Sequence, residues 1–210
     1  QKILLRFALL DIVAIEKTHL VLCKEFHGRL TNNDLLSVSP IQRTSFSLFS
    51  DTKKSITTKE FIDNDNPLFF ANSDQFVEWD SNEFFYKMNE NDADGGIPVF
   101  HSTHPKWSFA KLDENGFVTE VQEKNPISDL ATIGFYYWKQ GSDFVKYSEE
   151  MIEQDIRVNG EFYVCPVYNN AIKGGLKVRT FDTPKMWGLG TPEDLKYYLE
   201  NYSQIIWYFS

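Results

Sequence analysis

Short, almost wholly apolar runs separated by amphipathic segments most narrow the folds open to this chain. LFFA at 68–71 is continuously apolar, as expected of a strand covered on both sides, and ATIGFYYW at 131–138 reads as another strand. Further strands are predicted at 18–23, 97–102 and 177–181. Residues 109–112 and 117–121 flank Asp113-Glu-Asn-Gly116, a hairpin signal. Helical spacing marks 1–16, 56–63 and 83–89, the last capped by Asp80 or Ser81. Ser142 is expected to cap a helix whose apolar positions Phe144, Val145, Met151 and Ile152 fall on one face, and residues 164–172 read as helical or irregular. Thr191-Pro-Glu-Asp194 starts a final helix, with Thr at the cap and Pro in the first turn. Strands alternating with helices and broken by one hairpin predict an α/β layered sandwich with a mixed, mostly parallel sheet.

At 210 residues the chain fits one domain with a substantial core. Lys and Arg number 21 against 30 Asp and Glu, for a net charge of −9. That balance argues against nucleic-acid or anionic-membrane binding, which need a basic field. No run approaches the roughly 20 apolar residues of a membrane helix. Arg6, Asp11 and Glu16 punctuate the apolar opening, which does not read as a signal peptide. A first residue of Gln reads as a fragment or a processed form. Cys23 and Cys165 sit in apolar runs and are expected to be buried thiols of a cytoplasmic protein rather than a disulfide. The aromatic segment 205–209 requires a cover, for which a second subunit is one source.

Asp74 lies just past the strand at 68–71, where open α/β sheets gather ligands. A carboxylate there suits Mg²⁺, which takes one or two protein oxygens and completes its shell with water and phosphate; it also suits a simple turn cap. Glu123 and Lys124 stand near the end of the strand running from 118. Strand alternation sends them to opposite faces unless the strand stops before Pro126. Together they suit a phosphate and a hydroxyl of one ligand, or a solvated surface pair. KMWGLGT at 185–191 places two glycines about a Trp in an exposed turn, either to admit a ligand or to enter the last helix tightly. His101 and His104 fall on opposite strand faces and make a poor metal pair. Trp138, Tyr136, Tyr163 and Phe162 are expected in the core.

Several motifs in order, PLFFANSDQFVEWDSN, DGGIPVF, HPKWSFAKLDENGFVTEVQEKNPISDLATIGFYYW, VNGEFYVCPVYNNAI and MWGLGTPEDL, resemble the sugar-phosphate nucleotidyltransferase family. The likeness runs from about 58 to 202, in the branch associated with capsule and lipopolysaccharide precursors. It implies a Rossmann-like three-layer α/β/α sandwich formed by a single domain over 1–210, with 1–57 divergent or incomplete. It also implies a reaction joining a nucleoside triphosphate to a phosphorylated sugar, with Mg²⁺ assistance and release of pyrophosphate. By the same resemblance Asp74 is a catalytic metal ligand, and Glu123 with the catalytic Lys124 clamps substrate. Gly134 lets the backbone touch the sugar, and Glu161 is a further substrate contact. Two departures stand out: nothing in 1–57 matches the family's Gly-rich phosphate loop, and Gly188 occupies the approximate place of a second metal-binding aspartate. A non-catalytic relative that binds a sugar phosphate or sugar nucleotide, or a glycosyltransferase on the same fold, would share the other motifs.

Overall fold

In the computed structural model of the chain, residues 19–22, 59–72 and 74–202 are described. The expected helix at 1–16, Cys23 and the aromatic segment 205–209 lie outside them. Strands β1 (His19–Leu22), β2 (Leu68–Ala71), β4 (Gly95–His101), β5 (Ser108–Leu112), β6 (Val118–Glu123), β7 (Leu130–Thr132), β8 (Phe135–Trp138) and β9 (Val178–Asp182) form one large sheet. Strands β3 (Gln75–Glu78) and β10 (Lys185–Gly188) pair antiparallel as a second, small sheet.

Both faces of the large sheet are covered, as the apolar runs require. Leu68 and Phe70 of β2 and Tyr136 and Trp138 of β8 face one cluster, shared with helices α3 (Gly141–Glu153) and α4 (Val164–Lys173). Trp138 stacks on Tyr168 of α4 with ring centroids 4.3 Å apart and planes 9° from parallel. Phe69, Ala71, Phe135 and Tyr137 point the other way, onto Phe84 and Met88 of α2 (Ser81–Glu90) and onto Val77 and Met186 of the small sheet. Burying one such side chain contributes about 1.5–3 kcal/mol, so both layers are energetically substantial.

The expectation of a mostly parallel sheet is wrong. Among the described residues only β1 with β2 and β4 with β9 run parallel; β2–β8, β8–β4, β4–β7, β7–β5 and β5–β6 are antiparallel. Parallel neighbours need a crossover long enough to hold a helix. Between β4 and β8 the chain supplies loops and no helix, so these strands reverse. Helices α3 and α4 intervene only before β9, which accordingly lies parallel to β4.

Asp80 caps α2 by accepting from the backbone N–H of Asn82 and Glu83. Thr191 caps α5 (Pro192–Asn201), its hydroxyl accepting from Asp194 N at 3.1 Å. Ser142 does not cap α3: Gln140 holds that position without a side-chain bond. Instead, the N–H groups of Gly141 and Ser142 donate to the carbonyls of Asn66 and Asn64, both at 2.9 Å. That docks α3 on the linker after the short helix α1 (Lys59–Ile62). None of the described helices is long and apolar enough to cross a membrane.

Candidate substrate cleft

The run 131–138 is not one strand. It breaks at Ile133 and Gly134, and Gly134 has φ +77°. Its two halves nevertheless pair in succession with β4, Gly95 opposite Trp138 and Val99 opposite Thr132, so the break is a bulge in a continuous ladder. A Cβ at Gly134 would lie on the side-chain amide of Asn72. The Gln75 side-chain amide donates to the Ile133 carbonyl. The turn carrying Asp74 is thereby laid over the bulge, and only glycine satisfies both the backbone angle and the close approach.

Asp74 is half-buried, and its carbonyl accepts from Leu189 N at 2.7 Å. Gln75 pairs with Gly188. The MWGLG segment therefore flanks Asp74, with residues 186–188 in strand β10 rather than in a turn. Trp187 is not exposed: it is 6% accessible, and its indole N–H donates to Glu78 Oε1 at 2.6 Å. A side chain beginning at Gly188 would meet the Asp194 carboxylate, whose nearest atom lies 3.4 Å from the Cβ position. Asp194 in turn approaches Lys106 Nζ at 3.6 Å.

The second group forms where β6 ends. Ser108 stands opposite Glu123 and donates to its carboxylate. Burial raises the Glu123 carboxyl above its ordinary range, while the Ser108 bond and the Lys124 charge pull the other way. Lys124 takes φ +56°, a backbone conformation that costs a non-glycine residue roughly 1–2 kcal/mol. The strand thus stops before Lys124, and the opposite-face arrangement of the pair does not arise. Its backbone N–H donates to the Trp107 carbonyl at 3.0 Å.

Helix α4 completes this group. Asn169 accepts from Val121 N and donates to Val121 O, both at 2.9 Å, and so satisfies β6 as a neighbouring strand would. The lock brings Tyr163, just before α4, to the end of β6. Lys124 Nζ donates to the Tyr163 hydroxyl at 3.0 Å, and that hydroxyl donates to Glu161 Oε2 at 2.7 Å. Tyr163 is therefore a half-buried partner of Lys124 and not core; Trp138, Tyr136 and Phe162 are buried as expected. Beneath lies Cys165, a free thiol pushed up to about 12, first by burial and then by the charge of Glu123. Such a thiol is no nucleophile near neutral pH.

The structure thus brings Lys124 and Glu161 together through Tyr163, sets Glu123 beside Lys124 with Ser108 bonded to it, and brings the neighbours of Asp74, Asn72 and Gln75, against the break at Ile133 and Gly134. On either side of the break, the Thr132 and Tyr136 hydroxyls lie 3.0 Å apart, and Tyr136 feels the charge of Glu123. Ser108 and Tyr163 were missed by sequence reasoning. Counting back from the 113–116 turn puts Ser108 opposite Gln122; it meets Glu123 only because the register shifts between Lys111 and Leu112, and nothing local separates Tyr163 from its core-forming neighbours. The imidazoles of His101 and His104 are engaged elsewhere, with Asp129 at 2.9 Å and with the Lys106 N–H at 3.2 Å. Among the described residues no group of three His, Cys, Asp or Glu side chains is placed to hold a metal. The Asp74 carboxylate suits Mg²⁺ all the same, because that ion takes most of its ligands from water and substrate phosphates.

No protein-family profile and no curated protein matches the sequence. Solved structures do match. The nucleoside-diphosphate-sugar pyrophosphorylase from Vibrio cholerae superimposes with a TM-score of 0.67 at 21% identity, over 94% of this chain and 87% of that one. The chain shares that fold. A candidate glucose-1-phosphate thymidylyltransferase from Bacillus anthracis, crystallised with sucrose, matches with a TM-score of 0.57 at 15% identity, over 74% of this chain and 61% of that one.

Proposed function

We propose that the protein is a cytoplasmic nucleotidyltransferase that joins a nucleoside triphosphate to a phosphorylated sugar or similar small acceptor and releases pyrophosphate, supplying precursors for a cell-surface polysaccharide. The observation that carries this reading is the Lys124 group. A strained backbone turns an ammonium out of the sheet beside a half-buried carboxylate, on the fold of a sugar-nucleotide pyrophosphorylase. The motifs running from 58 to 202 support the same chemistry.

The acceptor's phosphate oxygen attacks the α-phosphorus in line. The α–β bridging bond breaks, and its oxygen leaves with pyrophosphate. Lys124 holds the acceptor phosphate, and Glu123, oriented by Ser108, accepts from an acceptor hydroxyl. The absent side chain at Gly134 leaves the bulged backbone open to the sugar. Mg²⁺, held by Asp74, would offset charge on the triphosphate. Positioning and charge compensation carry such a transfer, without a covalent enzyme intermediate.

A pyrophosphate-release screen over the four common triphosphates, against phosphorylated sugars and amino alcohols, tests the reading. One pair should turn over, and Lys124→Ala should raise its acceptor KM about thirtyfold with a smaller fall in kcat, as for loss of a charge-assisted hydrogen bond. Silence across the screen, with no heat on calorimetric titration of triphosphates and Mg²⁺, rejects it in favour of a non-catalytic binding protein.

A further inference from the structure

We propose that Tyr163 is a positioning residue, a spacer that holds the Lys124 ammonium away from Glu161 so that its remaining N–H donors stay directed at an anion. The inference rests on Lys124 being the acceptor-phosphate site.

Two carboxylates, Glu123 and Glu161, flank Lys124 closely enough for their charges to act on it. Among the described residues neither makes an ion pair with it within 4.0 Å. The reason is visible in the hydrogen bonds. Glu123 is engaged by Ser108. Glu161 is engaged by the Tyr163 hydroxyl, which at the same time accepts from Lys124. A hydroxyl both donates and accepts, so it can satisfy an acid and a base at once while keeping them apart. The Tyr163 ring lies under the ammonium, with Nζ 4.9 Å from its centroid, and fixes where the ammonium sits. An ammonium has three donors, and Tyr163 takes one. A direct pair with Glu161 would neutralise the charge that an incoming phosphate needs.

Tyr163→Phe keeps the ring and removes the spacer. Lys124 then closes on Glu161, and phosphate must displace an exposed ion pair worth up to about 1 kcal/mol, roughly fivefold in affinity. The experiment titrates inorganic phosphate into protein carrying ¹³C-labelled lysine and follows the Lys124 ε-methylene signal by NMR, assigned through Lys124→Arg. Wild type should show a saturable shift. Tyr163→Phe should need about fivefold more phosphate, and Tyr163→Phe/Glu161→Gln should recover most of the loss. A merely structural role for the hydroxyl would not be rescued by removing the neighbouring charge. Glu161→Gln alone should bind phosphate at least as well as wild type.

Unchanged affinity in Tyr163→Phe, no recovery in the double variant, weaker binding in Glu161→Gln, or no shift in wild type overturns the proposal. Tyr163-dependent phosphate binding without pyrophosphate release from any triphosphate overturns the transferase reading alone and leaves the spacer standing.

Discussion

Asp74→Asn lowers the rate of pyrophosphate release by about two to three powers of ten, the usual loss when a positioned charge is removed from a phosphoryl-transfer site. Asparagine matches aspartate in size and keeps the backbone tie at this position, the carbonyl that accepts from Leu189 N. The melting temperature should therefore stay close to that of wild type. The two measurements divide the possibilities. A fall in rate with an unchanged melt assigns a chemical role to the carboxylate, whereas an equal fall in both makes Asp74 a structural cap. A fully active variant removes Asp74 from the mechanism. Calorimetric titration of Mn²⁺ in the presence of a triphosphate gives a readout independent of turnover, in which the variant should lose most of the metal-dependent heat.

What could be seen in the sequence follows the range of the interactions involved. Strand β2 and helix α5 were legible because their causes are local: four consecutive apolar residues in one case, and Thr191 followed by Pro192 in the other. The direction of β8 was not, because pairing is decided by which strand lies alongside, and the run 131–138 looks the same in a parallel or an antiparallel ladder. Strands β3 and β10 escaped for a related reason. Each is four residues long and finds its partner more than a hundred positions away. The cleft divides in the same way. Glu123 and Lys124 carry a recognisable motif, whereas Tyr163 meets Lys124 through the packing of α4 on β6, which Asn169 fastens. Lys124 itself shows that alternation fails where a strand ends; its positive φ is set by the loop and by the bond to Trp107, not by its neighbours in sequence.

Gly141→Ala tests how far the position of Asp74 depends on packing at the opposite end of β2. A Cβ at Gly141 would lie 2.1 Å from the carbonyl oxygen of Ile62 and 3.1 Å from its carbon. Both are backbone atoms, so no side-chain rotation relieves the overlap. Helix α3 or the linker after α1 must move, and the bonds from Gly141 and Ser142 to the Asn66 and Asn64 carbonyls stretch with it. Overpacking of this kind costs about 3 kcal/mol, which for a domain of this size lowers the melting temperature by about 6–12 °C. Truncating Ile62 in the same background should not rescue the loss, since the obstructing atom belongs to the main chain. Ile62 is itself 5% accessible in the core, so Ile62→Ala adds its own destabilisation. The linker leads directly into β2, and β2 ends at the turn over the Gly134 bulge. Activity measured well below the melt should therefore fall as well, through kcat, because the displaced strand carries Asp74 with it. Lost stability with full activity would instead mean that the linker absorbs the movement before β2, and that the Asn72 and Gln75 contacts at the bulge suffice to set the carboxylate.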